Sequence, residues 1–226
     1  MHTLEPAVRA ALGVVRDPEL DEAITDLGFV SSLEIDHGVV RVRLRLPTFF
    51  CAPNFAWLMV ADATRAVAAV PGVTTVDVAL DDHFAAREIT TGVARGAGFR
   101  GTFPGLADDE LSDLRMVFRR KAFLARQHRL LRELVRDLPH ERVCALRIGD
   151  LDAAPETAVY LQRRSELGLP VDDDAPVVIT VHGDSVAPAD LDAHLATIRT
   201  VAVSIEGNAG LCRGLLATRY GGKESA

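Results

Sequence analysis

The sequence predicts an α+β protein: a small three-stranded sheet with helices on one face, joined by a long basic helix to a small α/β domain. Three observations predict it. Residues 39–46 (VVRVRLRL) set Val40, Val42, Leu44 and Leu46 against Val39 and three arginines, the alternation of a half-buried strand. Residues 53–70 place Phe55, Met59, Ala63, Val67 and Val70 at helical spacing, and a second alternating run, VTTVDVAL, follows Pro71-Gly72. Formal charge sums to −6 over residues 1–92, +4 over 93–137 and −5 over 138–226, so a basic segment separates two acidic ones.

In chain order, residues 6–15 read as a short amphipathic helix through Val8, Leu12 and Val15. Asp17-Pro18 reads as an N-cap and first helical position of a second short helix ending near Gly28. FVSSLEID and VVRVRLRL, parted by His37-Gly38, read as a hairpin. The helix 53–70 and the strand VTTVDVAL complete an αα-ββ-α-β module over residues 1–82. Residues 83–139 hold a glycine-rich linker, anchored by Phe84, Ile89, Val93, Phe99 and Phe103, and a helix over 108–138 with acids at its start and arginines to its end. Residues 140–226 read as strands at RVCALRI, PVVITVHG and VAVSIEG alternating with helices at 155–167, 188–199 and 210–219, a small α/β domain.

Composition narrows the function classes. The balance of 48% hydrophobic and 25% charged residues is that of a soluble globular protein. No apolar run approaches the ~20 residues of a membrane span, and residues 1–15 lack the apolar stretch of a secretory signal. Net charge of −7 disfavours nucleic acid as a partner. Cys51, Cys144 and Cys212 are too few for a disulfide framework, so reduced thiols in a cytosol are expected. Arginine supplies 23 of the 25 basic residues, which with abundant Ala, Val and Asp suits a GC-rich bacterial genome.

The chemistry centres on PTFFCAP, residues 47–53. Pro53 opens a helix, so Cys51 stands at or just before its N-cap, where free N–H groups and the dipole favour an anion. Such a position depresses a thiol pKa and makes the sulfur a better nucleophile and metal ligand. The other reading is a buried, inert cysteine. Cys212, in EGNAGLCRG, is expected in the first turn of a second helix. Its turn matches neither a P-loop nor a dinucleotide fingerprint. Cys144 reads as core. Asp81-Asp82-His83 ends a strand and offers either a ligand group, with His83, or a solvated turn. On the long helix, Arg115, Arg119, Arg126 and Arg129 fall near one stripe, either a solvated face or a contact for an acidic client protein. No motif of a serine hydrolase, zinc protease, dithiol redox protein or Walker NTPase is present.

VVRDPELDEAITDLGFV, the hairpin, PTFFCAP, the following helix and VPGVTTVDVAL together resemble the SufT-like/PaaD-like domain, a metal–sulfur cluster biosynthesis module, over about residues 4–82. The resemblance implies a small α+β fold that assists maturation of iron–sulfur or other metal proteins. It also implies cluster-assembly proteins or a client metalloenzyme as partners, a non-haem iron oxygenase among them. Asp17, Glu19 and Cys51 match the family's acidic pair and cysteine, and so stand as candidate ligands of iron or a transient iron–sulfur cluster. The loop departs from the family pattern: Pro47 stands four before Cys51, Thr48 three before, and Ala52 intervenes before Pro53, which leaves Thr48 a weaker match. Since clusters usually take four thiolates, one loop cannot hold one alone; a homodimer-bridged or labile handoff site fits the residue count. Two alternatives stand beside this reading. One is a thiol enzyme using Cys51 or Cys212 as nucleophile, for which no His or Asn partner is identifiable by motif. The other is an assembly adaptor that works without the cysteine.

Overall fold

The computed structural model describes residues 4–105 and 111–221. The chain forms two compact units: residues 1–112 with 208–226, and residues 113–207. In sequence, the second unit is therefore an insertion into the first.

The first unit follows the predicted α+β module. Helix α1 (Glu5–Gly13) buries Val8 and Leu12. Strands β1 (Val30–Asp36) and β2 (Val39–Arg45) pair antiparallel, Leu33 opposite Val42 and Ile35 opposite Val40. The connection is His37-Gly38, both with positive φ, as a two-residue hairpin turn requires. Helix α2 (Pro53–Ala68) crosses over to β3 (Thr75–Asp81), which lies parallel to β2 with Val42 opposite Val78. The sheet order is β1-β2-β3. Val40, Val42, Leu44 and Leu46 are buried against Met59, Val60 and Ala63 of α2, confirming the face read from the alternation.

Residues 14–29, expected to hold a capped helix, form turns instead. Asp21 takes a left-handed φ, and Asp17 N–H donates to the Glu22 carbonyl, closing the segment on itself after a single turn. The expected linker holds helices α3 (Ala86–Ala94) and α4 (Gly98–Thr102). Of its apolar anchors, Ile89 is buried and Phe103 packs on the core, while Phe84 is exposed. Helix α4 meets Trp57, whose Nε1 donates to Thr102 Oγ1 at 3.1 Å. Gly92 makes room for this: a β-carbon there would stand 2.1 Å from Thr102 Oγ1.

In the second unit, helix α5 (Ser112–Asp137) is the long basic helix; its expected start at 108–110 lies outside the described residues. The α/β domain expected after residue 140 is corrected. Among the described residues the three-stranded sheet is the only one. RVCALRI opens as helix α6 (His140–Ala145), because the Pro139 carbonyl accepts the Arg142 and Val143 N–H groups and starts a helical turn. Helix α7 (Pro155–Glu166) matches its prediction. PVVITVHG makes only isolated antiparallel bridges, Pro176 with Arg147 and Ile179 with Ser185, and buries Val177, Val178 and Ile179. The Val178 carbonyl accepts the Val186 N–H at 3.2 Å, and side chains take three more: Arg164 donates to the Pro176 carbonyl, Tyr160 to that of Val177 and Gln127 to that of Ile179, at 2.8, 2.6 and 3.0 Å. VAVSIEG and the two helices around it are one helix, α8 (Leu191–Tyr220). Its residues to Gly207 count with the second unit and those from Asn208 with the first. Among the described residues no helix is long and apolar enough to cross a membrane.

Candidate functional site

Cys51 occupies the loop from β2 to α2, and His83 the loop after β3. Because β2 and β3 are parallel neighbours, both loops leave the same end of the sheet, the end where open α/β sheets place their ligand sites. The loops are tied together. His83, itself buried, makes a 2.8 Å hydrogen bond through Nε2 to the Cys51 carbonyl. Its Nδ1 accepts the Ala85 N–H at 3.2 Å. Because a carbonyl can only accept, Nε2 is the donor of the ring. Phe84 N–H donates to the Phe49 carbonyl at 3.1 Å. Phe49, Phe50 and Phe84 are exposed around this junction, with Phe50 at 75%.

Cys51 is half-buried, and its thiol is pushed up to about 12. Burial is the main cause; the charges of Asp17, then Cys212, then Glu19 act in the same direction. The Ala52 N–H at the start of α2 works against them and is outweighed. Of the two readings of Cys51, the geometry favours the buried thiol over the thiolate activated by a helix N-terminus: desolvation beside carboxylates keeps this sulfur protonated at neutral pH.

Asp17 is buried, with Oδ1 accepting the N–H groups of Glu19 and Leu20 at 2.9 Å each. It therefore organises a turn where a helix cap was expected. Burial raises its pKa to about 6 against those two hydrogen bonds. Glu19 is half-buried and accepts Asn208 Nδ2 at 3.3 Å. Cys212 lies in the middle of α8, not in a first turn, and packs on the same core as Cys51. Its thiol is raised too, by burial and then by Asp17 and Glu19.

The fold thus gathers Asp17, Glu19, Cys51 and Cys212 from three distant parts of the chain. Thr48 sits half-buried in the bend before Phe49. Among the described residues no group of three or more His, Cys, Asp or Glu side chains is arranged to hold a metal ion. The donors present fit partial capture of a metal or cluster, completed by ligands from outside, better than a closed site. On α5, Arg115, Arg119, Arg126 and Arg129 are half-buried, and Arg129 pairs with Glu206 at 3.2 Å. Asn208 carries no signal in the sequence: it meets Glu19 across 189 positions.

Residues 5–78 match the family model described as iron-sulfur cluster assembly protein. The chain is 43% identical over 79 residues to proteins named iron-sulfur cluster carrier protein from Mycobacterium tuberculosis (strain ATCC 25618 / H37Rv) and Mycobacterium bovis, and 39% identical to one of that name from Mycobacterium leprae. Each match covers 34% of this chain, so the chain spans only 20% of the length of these curated relatives. No solved structure matches. Residues 5–78, which hold α1, β1, β2, the cysteine loop, α2 and the start of β3, are thus similar to the iron–sulfur cluster assembly protein family.

Proposed function

We propose that the protein is an accessory factor in the assembly of iron–sulfur or related metallocofactors, and that Cys51 holds iron or a cluster in transit to a client metalloenzyme. The observation that carries this is the position of Cys51: a half-buried thiol on a loop anchored by His83, beside Asp17 and Glu19, within the family-matched domain. Metal capture displaces the thiol proton and turns the repelling carboxylates into favourable neighbours or ligands. A thiol held near 12 and a His83 ring turned to backbone groups count against Cys51 as an enzyme nucleophile. The client is a metalloenzyme, with a non-haem iron oxygenase favoured by the PaaD-like resemblance. Arg115, Arg119, Arg126 and Arg129 are proposed as its acidic-partner contact. Charge reversal at Arg119 should weaken co-purification of the client, more so at low salt.

The test of the thiol role is anaerobic reconstitution with iron and sulfide, reading bound iron and sulfide per chain. Wild type and Cys144→Ser should load, and Cys51→Ser should not. Equal loading by Cys51→Ser, with normal client maturation, would leave the protein a cysteine-independent adaptor.

A further inference from the structure

Within the first unit, the C-terminal end of α8 and the residues around β2 enclose an open pocket of about 170 Å³. Leu27, Leu216 and Ala217 form its apolar wall, and Arg45, Arg213 and Tyr220 supply its polar groups. We propose that this pocket binds a small carboxylate with a short apolar body, at a site independent of the metal chemistry proposed for Cys51.

The first support is a charge without a counter-ion. Arg45 donates from Nε to the Gly28 carbonyl at 3.2 Å, and its guanidinium lies 5.1 Å from the centre of the Tyr220 ring. Among the described residues no carboxylate pairs with it. Asp81, opposite Arg45 on β3, instead accepts from Ser31 at 2.7 Å. Glu22 and Asp82 pair with Arg213 and Arg219. Arg213 uses Nη1 on Glu22, which leaves other donors on its guanidinium. A guanidinium fork matches the two oxygens of a carboxylate.

The second support is a hydroxyl without a partner. The Tyr220 oxygen is shielded from solvent and has no hydrogen-bond partner among the described residues. Leaving such a donor unpaired is costly, and a ligand oxygen would satisfy it. Burial raises the Tyr220 pKa, so the phenol remains a protonated donor at neutral pH. The third support is the wall. The volume is below the roughly 300–1,000 Å³ of sites for drug-sized ligands, so a small molecule fits. An inorganic anion would engage the cations but leave the leucines hydrated, whereas a short alkyl chain removes them from water.

The pocket depends on α8. Of its six named residues only Leu27 and Arg45 lie in the family-matched stretch, and α8 contributes the other four. Arg219, beside Tyr220, donates to the Leu46 and Asp82 carbonyls at 3.0 and 2.8 Å. The helix end that lines the pocket therefore also holds the backbone leading into the Cys51 loop and into His83.

The test is calorimetric titration of the intact chain with sodium butyrate, compared with inorganic phosphate and sodium chloride at matched ionic strength. Butyrate should fill one saturable site per chain, more tightly than phosphate, and chloride should not fill it. Arg45→Lys keeps the charge but loses the fork, and Tyr220→Phe removes the hydroxyl alone. Each should weaken butyrate about tenfold, the factor that one hydrogen bond to a charged group carries. Tyr220→Phe should leave the unfolding midpoint of the ligand-free chain unchanged or raise it, because no hydrogen bond is lost. Absent saturable butyrate binding, phosphate binding at least as tight, or full affinity in either variant would overturn the inference. So would a Tyr220→Phe midpoint below wild type, which would give the hydroxyl a structural partner. A measurement without substitutions guards against misfolded variants. Butyrate should protect Arg45 and Arg213, but not Arg9, from phenylglyoxal as read by mass spectrometry. Equal modification of Arg45 with and without butyrate would refute the site.

Discussion

Asp17 keeps a carboxyl group where water hardly reaches it. Two backbone N–H groups stabilise its charge, but burial wins and the folded pKa is about 6 against an ordinary 3.8. The folded state therefore binds this proton more tightly than the unfolded chain. Its contribution to stability is greatest below the unfolded value and is lost as pH rises through the folded one. Asn in its place keeps the accepting oxygen and removes the charge. Asp17→Asn should thus stabilise the metal-free protein by an amount of order 2 kcal/mol at about pH 8, and by much less at about pH 4. Denaturant unfolding of both proteins at the two pH values checks this, and an equal gain at both would refute it. His83 makes a second residue-scale case. Removing it leaves the Cys51 carbonyl and the Ala85 N–H without their partner, at roughly 1–3 kcal/mol for each buried group. His83→Ala should lower the unfolding midpoint, while His83→Gln, which can still donate to the carbonyl, should load iron and sulfide like wild type in anaerobic reconstitution. Loss of loading in His83→Gln would make His83 a ligand. Cys51 was legible as a candidate because a cysteine between a strand and a proline-started helix is visible in the order of residues. That its thiol stays protonated was not, because the fold alone sets how far burial desolvates the sulfur, with the charges of Asp17 and Cys212 acting in the same direction.

At the scale of elements, hydrophobic periodicity decided success and failure alike. β2, α2 and β3 each have one dominant period, and each was legible. In α8 two periods compete. Val201, Val203 and Ile205 alternate like a strand, whereas Ile198, Ala202, Ile205, Ala209 and Leu216 recur at helical spacing. The helical set is the buried one, and Val203 stays exposed. Nothing local favours the helical set; the separate cores that Ile198, Ala202 and Ile205, and then Ala209 and Leu216, pack into do. Residues 176–181 failed for another reason. Val177, Val178 and Ile179 are buried, but backbone pairing stops at single bridges to Arg147 and Ser185, and Arg164, Tyr160 and Gln127 supply hydrogen bonds that a full neighbouring strand would otherwise make. Helices α3 and α4 were hidden by their glycines, although Gly92 is what lets them meet. Gly92→Ala should drive the helices apart, cost about 1–3 kcal/mol as overpacking does, and shift the emission of Trp57, the only tryptophan. Adding Thr102→Ala should recover part of the stability, and an unperturbed Trp57 in Gly92→Ala would contradict the close approach.

At the scale of the molecule, the first unit is assembled from both sides of the second. Ala209 and Leu216 lie in its core, Leu216 against Gly28. Arg219 pairs with Asp82 and donates to the Leu46 carbonyl at 3.0 Å. A chain stopped after Gly207 loses all of these. It should unfold at lower denaturant concentration, by several kcal/mol if buried leucine deletions are a guide at about 2–5 kcal/mol, and should bind a hydrophobic dye that the full chain does not. Retention of the full-length midpoint would show that α8 merely rests on a finished core. The same arrangement sets a schedule for synthesis. The sheet, α2 and the cysteine loop emerge from the ribosome first, but the residues that cover them follow only after roughly 95 more have been added. At ~5–20 residues per second this leaves the apolar face of the nascent unit uncovered for about 5–20 s. During that interval Cys51 has emerged without Cys212, and the nascent chain depends on chaperones or on chance to keep its half-built core from other chains.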